Sequence, residues 1–200
     1  TNREAKYEIT VKANSATATY DGKEHEAVGV ETYEFTVEGN SYTVSGLSTE
    51  DPKQKDAGSY TNNITGTPVV TDKEGNVVTS EFEVKTENGS LEIGKAAVTL
   101  KSATLSKKYD GNALVNGDTA LEIESGFAEG EGATYNFTGS QTVVGSSANA
   151  FSYELNGNTN IDNYEISKQE GTLTVTNREA KYEITVKANS ATATYDGKEH

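Results

Sequence analysis

The chain has 200 residues, a formal net charge of −14 and a hydrophobic fraction of 33%. So acidic a surface excludes a nucleic-acid binder, which needs Lys and Arg clustered against phosphates. It also argues against adsorption to anionic membranes, and no apolar run is long enough to insert into one. Cysteine is absent, so neither disulfides nor thiol chemistry is available, while 11 Tyr, 5 Phe and many Val, Ile and Thr argue against disorder.

From the N-terminus onward the pattern is strand after strand. Tyr7, Ile9 and Val11 alternate with Glu8 and Thr10, and Ala16, Ala18 and Tyr20 with Thr17 and Thr19. The same rhythm returns at Tyr33, Phe35 and Val37, at Tyr42 and Val44, at Phe82 and Val84, and at Leu91 and Ile93. It resumes at Val98 and Leu100, Leu121 and Ile123, Tyr135 and Phe137, and Phe151, Tyr153 and Leu155, then at Tyr164 and Ile166 and at Leu173 and Val175. Period two over short runs predicts half-buried strands. Turn signals separate them at Asp21-Gly22, Gly39-Asn40, Gly75-Asn76, Asn88-Gly89, Asn116-Gly117 and Asn156-Gly157. A single helical turn fits residues 48–55, with Pro52 in its first turn. Val69-Val70 and Val77-Val78 flank a polar turn and predict a hairpin that has no counterpart further on.

Residues 1–25 and 176–200 are identical at all 25 positions, the mark of a tandem array. A weaker period lies within. Tyr-Asp-Gly stands at Tyr20, Asp21 and Gly22, at Tyr109, Asp110 and Gly111, and at Tyr195, Asp196 and Gly197, spaced 89 and 86 residues apart. The expected organisation is a module A at 1–94, a module B of similar plan at 95–177, and the incomplete start of a second module A at 178–200. The connections between modules are short and not Gly/Ser-rich, unlike flexible tethers. The partial copy supplies two strands, too few to bury a core. It is expected to pair with a neighbouring molecule or to lie against module B.

Each Tyr-Asp-Gly reads first as a tight hairpin turn, with the Tyr packed on the sheet before it. The segment from Asp56 to Tyr60 resembles a tyrosine corner, in which the hydroxyl bonds back to upstream backbone. Catalytic sets fail on inventory: the two His, His25 and His200, are one repeat position beyond a turn, so no Ser-His-Asp set is expected. Gly130-Glu131-Gly132 lacks the strand-then-helix context of a phosphate loop. Residues 72–76 and 156–163 place oxygen ligands closely enough to raise Ca2+ as a cofactor, although both read first as polar turns. No other cofactor and no metal ligand set is expected. Lys6 or Lys12 with Asn88 has the chain order for a Lys–Asn isopeptide cross-link between first and last strands.

The motifs resemble those of the bacterial MBG (YDG-type) repeats of large surface adhesins. The matching residues are the Tyr-Asp-Gly triplets near each module start and Gly111 to Leu121 (GNALVNGDTAL), which is similar to a "G-L-V-N-G-D-T" stretch. Gly58 to Tyr60 matches a strand start, and the closing runs Gly89-Ser90-Leu91 and Gly171-Thr172-Leu173 match an "N-G-T-L-x-V" strand. Module B fits better than module A. The resemblance implies an extracellular protein, attached to a bacterial cell wall, with no catalytic residues. The expected fold is all-β: small antiparallel sandwiches, immunoglobulin-like, arranged end to end. A β-grasp-like module with a short helix is the alternative. The expected role is a non-enzymatic stalk that projects a terminal binding domain, with neighbouring repeats as partners. The rival is a repeat that itself binds host mucin, glycan or matrix protein with avidity, for which Tyr33 and Tyr42 are the candidate aromatics.

Overall fold

Period-two alternation becomes strand wherever a partner strand is at hand. The structure, a computed structural model, describes residues 5–199. Module A contains β1 (Tyr7–Lys12), β2 (Ala16–Thr19), β3 (His25–Glu26), β4 (Glu34–Val37), β5 (Asn40–Thr49), β6 (Lys53–Gln54), β7 (Gly58–Asn62), β8 (Ile64–Asp72), β9 (Phe82–Glu87) and β10 (Gly89–Gly94). Module B contains β11 (Ala96–Lys101), β12 (Leu105–Lys108), β13 (Leu114–Val115), β14 (Ile123–Ser125), β15 (Ala133–Phe137), β16 (Ser140–Gln141), β17 (Gly145–Ala148), β18 (Phe151–Leu155), β19 (Tyr164–Gln169) and β20 (Thr172–Thr176). The only helical pieces among the described residues are 3-10 turns at Thr79–Glu81 and Ile161–Asn163. The chain is all-β, and none of its described helices is long and apolar enough to cross a membrane.

The sheets are mixed, which corrects the expectation of antiparallel modules. Each module sets its first strands beside its last ones, in parallel. Tyr7 on β1 stands opposite Phe82 on β9, and Ala16 on β2 opposite Leu91 on β10. In module B, Ala96 on β11 faces Tyr164 on β19, and Leu105 on β12 faces Leu173 on β20. Chain ends that meet side by side after an even number of reversals run the same way, so the ladder that closes each module is parallel. The remaining pairings are antiparallel: β7 with β10, β17 with β20, β3 with β6, β13 with β16, β5 with β4 and β8, and β15 with β18. The modules differ at one strand, since β4 pairs with β5 whereas β14 pairs with β11.

Glycine in the closing motif has a steric cause. A Cβ on Gly89 would sit 2.2 Å from the Asn14 carbonyl oxygen, and one on Gly171 would sit 2.4 Å from that of Ala103. At both places the last strand crosses directly over the turn between the module's first two strands. A buried amide pins each crossing: Asn62 Nδ2 donates to the Asn14 carbonyl at 3.1 Å, and Asn149 Nδ2 to the Ala103 carbonyl at 2.9 Å. An unpaired buried amide is costly, so these Asn residues specify the crossing.

Three expectations fail. Residues 48–55 form no helical turn: they run from the end of β5 into β6, because Glu26 and His25 offer strand partners to Lys53 and Gln54. The expected strand at Leu121 and Ile123 starts only at Ile123. Residues 178–199 form no strands and are exposed, with Lys108–Glu179 their ion pair to module B, so they do not lie along that module. The extra hairpin of module A is present, with Thr71 bridged to Val77.

Two buried clusters result. Ile9, Val11, Val44, Val70 and Phe82 fill one end of module A. The other cluster joins Tyr20, Leu91 and Ile93 of module A to Val98, Leu100, Phe151 and Tyr164 of module B. The modules therefore share a core across their boundary, and Lys95 alone separates β10 from β11.

Candidate functional site

The Tyr-Asp-Gly motif builds a junction and not a hairpin. β2 pairs with β10 and β3 with β6, so the strands on either side of Asp21 and Gly22 are not partners. Only Gly22 takes a positive φ, +79°, whereas a type I′ turn requires two such residues. Asp21 instead accepts the Lys23 backbone N–H at 2.9 Å, an Asx turn, and contacts the His25 ring at 2.9 Å. Those bonds hold the Asp21 carboxyl below its ordinary pKa, the Lys23 amide contributing most. Asp110 repeats the arrangement with the Asn112 N–H and Lys107. β2 ends at Thr19, the turn follows Tyr20, and the Tyr20 side chain reaches into module B.

There the Tyr20 hydroxyl donates to Glu131 Oε1 at 2.6 Å, and the Tyr164 hydroxyl donates to Oε2 of the same carboxylate at 2.8 Å. The rings of Tyr20 and Tyr164 meet edge to face, 5.3 Å apart. The Glu131 side chain is 7% exposed, with Lys55 Nζ of module A 4.0 Å away. Burial pushes the Tyr20 hydroxyl's pKa well up, and Glu131 adds to the rise. Tyr164 is raised by the same causes, against the Ala128 N–H that its oxygen accepts.

A second contact lies beside the first. Asn163 accepts the Ala57 N–H through Oδ1 at 2.8 Å and donates through Nδ2 to the Asp56 carboxylate at 2.8 Å. The Asp56–Ala57 segment is held for this by Tyr60, whose hydroxyl donates to the Asp56 carbonyl at 3.0 Å. This is the bond that the tyrosine-corner reading anticipates. Gly58 lies under the Tyr60 ring, where a Cβ would approach the hydroxyl to 3.0 Å.

The chain matches no family model, no curated protein and no solved structure.

The other expected site residues fall elsewhere. Tyr109 and Gly111 mark the corresponding place at the far end of module B, where the Tyr109 N–H bonds to Thr176 as the Tyr20 N–H bonds to Gly94. Tyr195, Asp196 and Gly197 lie in the strandless residues. Lys6 is exposed, and the Asn88 amide is occupied by the Ile64 N–H and by Asn63, so the structure does not bring Lys6 and Asn88 together. Lys12 pairs with Glu87. Asp72 is taken up by its own turn, accepting from the Glu74 and Asn76 N–H groups and the Asn76 side chain. Tyr42 packs edge to face on Phe82, 4.8 Å away, and Tyr33 is 36% exposed. In the sequence, Glu131 stands in a Gly-rich turn and Asn163 in a polar run with oxygen ligands, and neither is marked as a junction residue. Their hydrogen-bond partners in module A, Tyr20, Asp56 and Ala57, lie 106 to 111 residues away, and no local pattern marks such pairs.

Proposed function

We propose that this chain is a structural segment of a bacterial surface adhesin, an array of YDG-type repeats forming a stiff, non-enzymatic stalk outside the cell wall. The observation that carries the reading is the shared core at the A–B junction, with Glu131 clamping one tyrosine from each module. A stalk must resist bending, and bending is resisted where modules bury surface together and are not strung on a linker. The one-residue connector, the clamp from Tyr20 and Tyr164 to Glu131 and the two-point contact of Asn163 all oppose rotation. The acidic surface keeps neighbouring stalks apart. Resemblance of the Tyr-Asp-Gly and closing-strand motifs to adhesin repeats supports the location, and modules of the immunoglobulin-like type fit the tyrosine corner.

The test pairs shape with binding. Nitroxide labels at Thr36→Cys and Thr134→Cys report the A–B arrangement by electron–electron distance measurement. One narrow distance is expected, broadening in Glu131→Ala. Surface plasmon resonance against mucins, glycans and matrix proteins is expected to be silent. A broad distance in the unmodified chain, or saturable binding to one of these classes, overturns the stalk in favour of a flexible or adhesive repeat.

A further inference from the structure

The far end of module B carries the same architecture as the junction, re-equipped with apolar residues. Three residues, Lys55, Asp56 and Ala57, connect β6 to β7 and meet Asn163. Three residues, Thr142, Val143 and Val144, connect β16 to β17 at the corresponding place. Val143 is 66% exposed and Val144 49%. Beside them Val115 on β13, 50% exposed, stands where β3 has Glu26. Tyr109 occupies the place of Tyr20, and its hydroxyl has no hydrogen-bond partner among the described residues. An acidic or small side chain at the A–B junction is thus valine at three positions of the B end, on a strongly acidic protein.

The opposite end of module A carries matching replacements. Phe82, first residue of β9 after a 3-10 turn, corresponds to Tyr164, first residue of β19 after the other. Glu81 corresponds to Asn163. The exchanges are complementary in chemistry. Asn163 offers a donor and an acceptor because it faces the Ala57 N–H and the Asp56 carboxylate. With Val143 in place of Asp56 there is no carboxylate to receive a donor, and Glu81, acceptor only, suits the Val144 N–H alone. Glu81 against Asp56 would set like charges together. Phe82 itself is buried within module A against Tyr7 and Tyr42, so Glu81 is the exposed residue of this pair.

We infer that the valine end of module B is a docking surface for the N-terminal end of a second copy of module A, seated through Glu81 and the hairpin that carries Val77. The occupant follows from the chain itself, which repeats the opening of module A directly after module B. The connector here is residues 177–181, longer than the single Lys95, and module A alone has an extra hairpin at the end that would face it. That hairpin, with Val77 69% exposed, fills the space the longer connector opens. Alternation follows, because A on A opposes Asp56 to Glu81 and B on B leaves the Asn163 amide without an acceptor. The inference rests on the array reading.

The test uses two 175-residue units in tandem, labelled at Thr134→Cys of the first and Thr36→Cys of the second. The expected result is one narrow distance across the B–A joint. Val143→Asp with Val144→Asp in the first unit, exposed positions that leave the fold intact, is expected to broaden it severalfold while the A–B distance within a unit stays narrow. A broad joint in the unmodified tandem, or one indifferent to the two aspartates, overturns the docking surface. A narrow A–B distance in a second tandem, labelled at Thr36→Cys and Thr134→Cys of one unit, leaves the stalk reading standing, so the two failures are told apart.

Discussion

Residues 5–24 and 180–199 carry one sequence in two settings. In the first copy it forms β1 and β2, with Val11 wholly buried and Tyr20 4% exposed. In the second it forms no strand, and Val186 and Tyr195 are 89% and 92% exposed. The first copy lies against β9 and β10, which arrive from more than sixty residues further along the chain. The second meets no such strands. Alternation marks a segment as fit for a half-buried sheet, but the strand itself is made by its partner. The Asx turn behaves differently. Lys23 N–H to Asp21 at 2.9 Å recurs as Lys198 N–H to Asp196 at 3.0 Å, and Gly22 and Gly197 take φ of +79° and +77°. A contact spanning two residues needs no distant partner.

The sharpest way to break this comparison is to supply what the second copy lacks. Extending the chain through a further stretch identical to residues 26–94 provides new copies of β9 and β10. The amides of Ile184 and Val186 are then expected to slow in hydrogen exchange by about a thousandfold or more, as amides opening only with a whole module do. Unchanged exchange would show that the segment is not a strand waiting for its partner.

Removing the partner from the first copy is the converse. Leu91 on β10 is wholly buried opposite Ala16 and lies in the cluster common to both modules. Leu91→Ala is expected to cost about 2–5 kcal/mol in chemical denaturation. Loss confined to module A would argue that the core is not shared.

The same local-against-distant division explains what the sequence revealed. Most strands with an apolar alternation of their own were legible. β12 and β17 were not: Leu105 is followed by Ser-Lys-Lys, and β17 reads Gly-Ser-Ser-Ala. Both are strands because β20 lies between them. The parallel closure was equally hidden, since nothing within β1 tells which way its partner runs. At the junction, Tyr20 announced itself through a repeated triplet, whereas Glu131 and Asn163 sat in stretches that read as polar turns.

The junction offers an effect of intermediate size. Glu131→Ala leaves two buried tyrosine hydroxyls without their acceptor, at about 1–3 kcal/mol each. Tyr20→Phe removes one bond and leaves Tyr164 its own, so its cost is the smaller. Alkali tests the same contact. The folded pKa values of Tyr20, Tyr164 and Tyr135 lie above the ordinary value, chiefly through burial. The neutral hydroxyl is thus the form favoured by folding. The stability it contributes is complete below the unfolded tyrosine pKa of about 10 and is lost as pH rises through the raised folded values. Denaturation midpoints are expected to fall as pH rises above about 10, and less steeply in Tyr20→Phe. An equal fall in that variant would place the sensitivity elsewhere.

The smallest effect isolates the local turn. Asp21 is held below its ordinary pKa by the Lys23 N–H and His25, so its contribution is present above about pH 4 and is lost as pH falls through the lower folded value. Asp196→Ala should abolish the positive φ preference of Gly197, read from backbone scalar couplings, and alter nothing else, because no strand depends on it there. Asp21→Ala removes an identical turn from a residue pair whose successor, Lys23, precedes β3, and whose predecessor, Tyr20, is fixed by Glu131. The expected result is a retained Gly22 conformation, held by the junction and by β3 against β6 in place of the lost side chain. If Gly22 relaxed as Gly197 does, the turn would be positioning Tyr20, and the order of cause at the junction would run from the triplet outward.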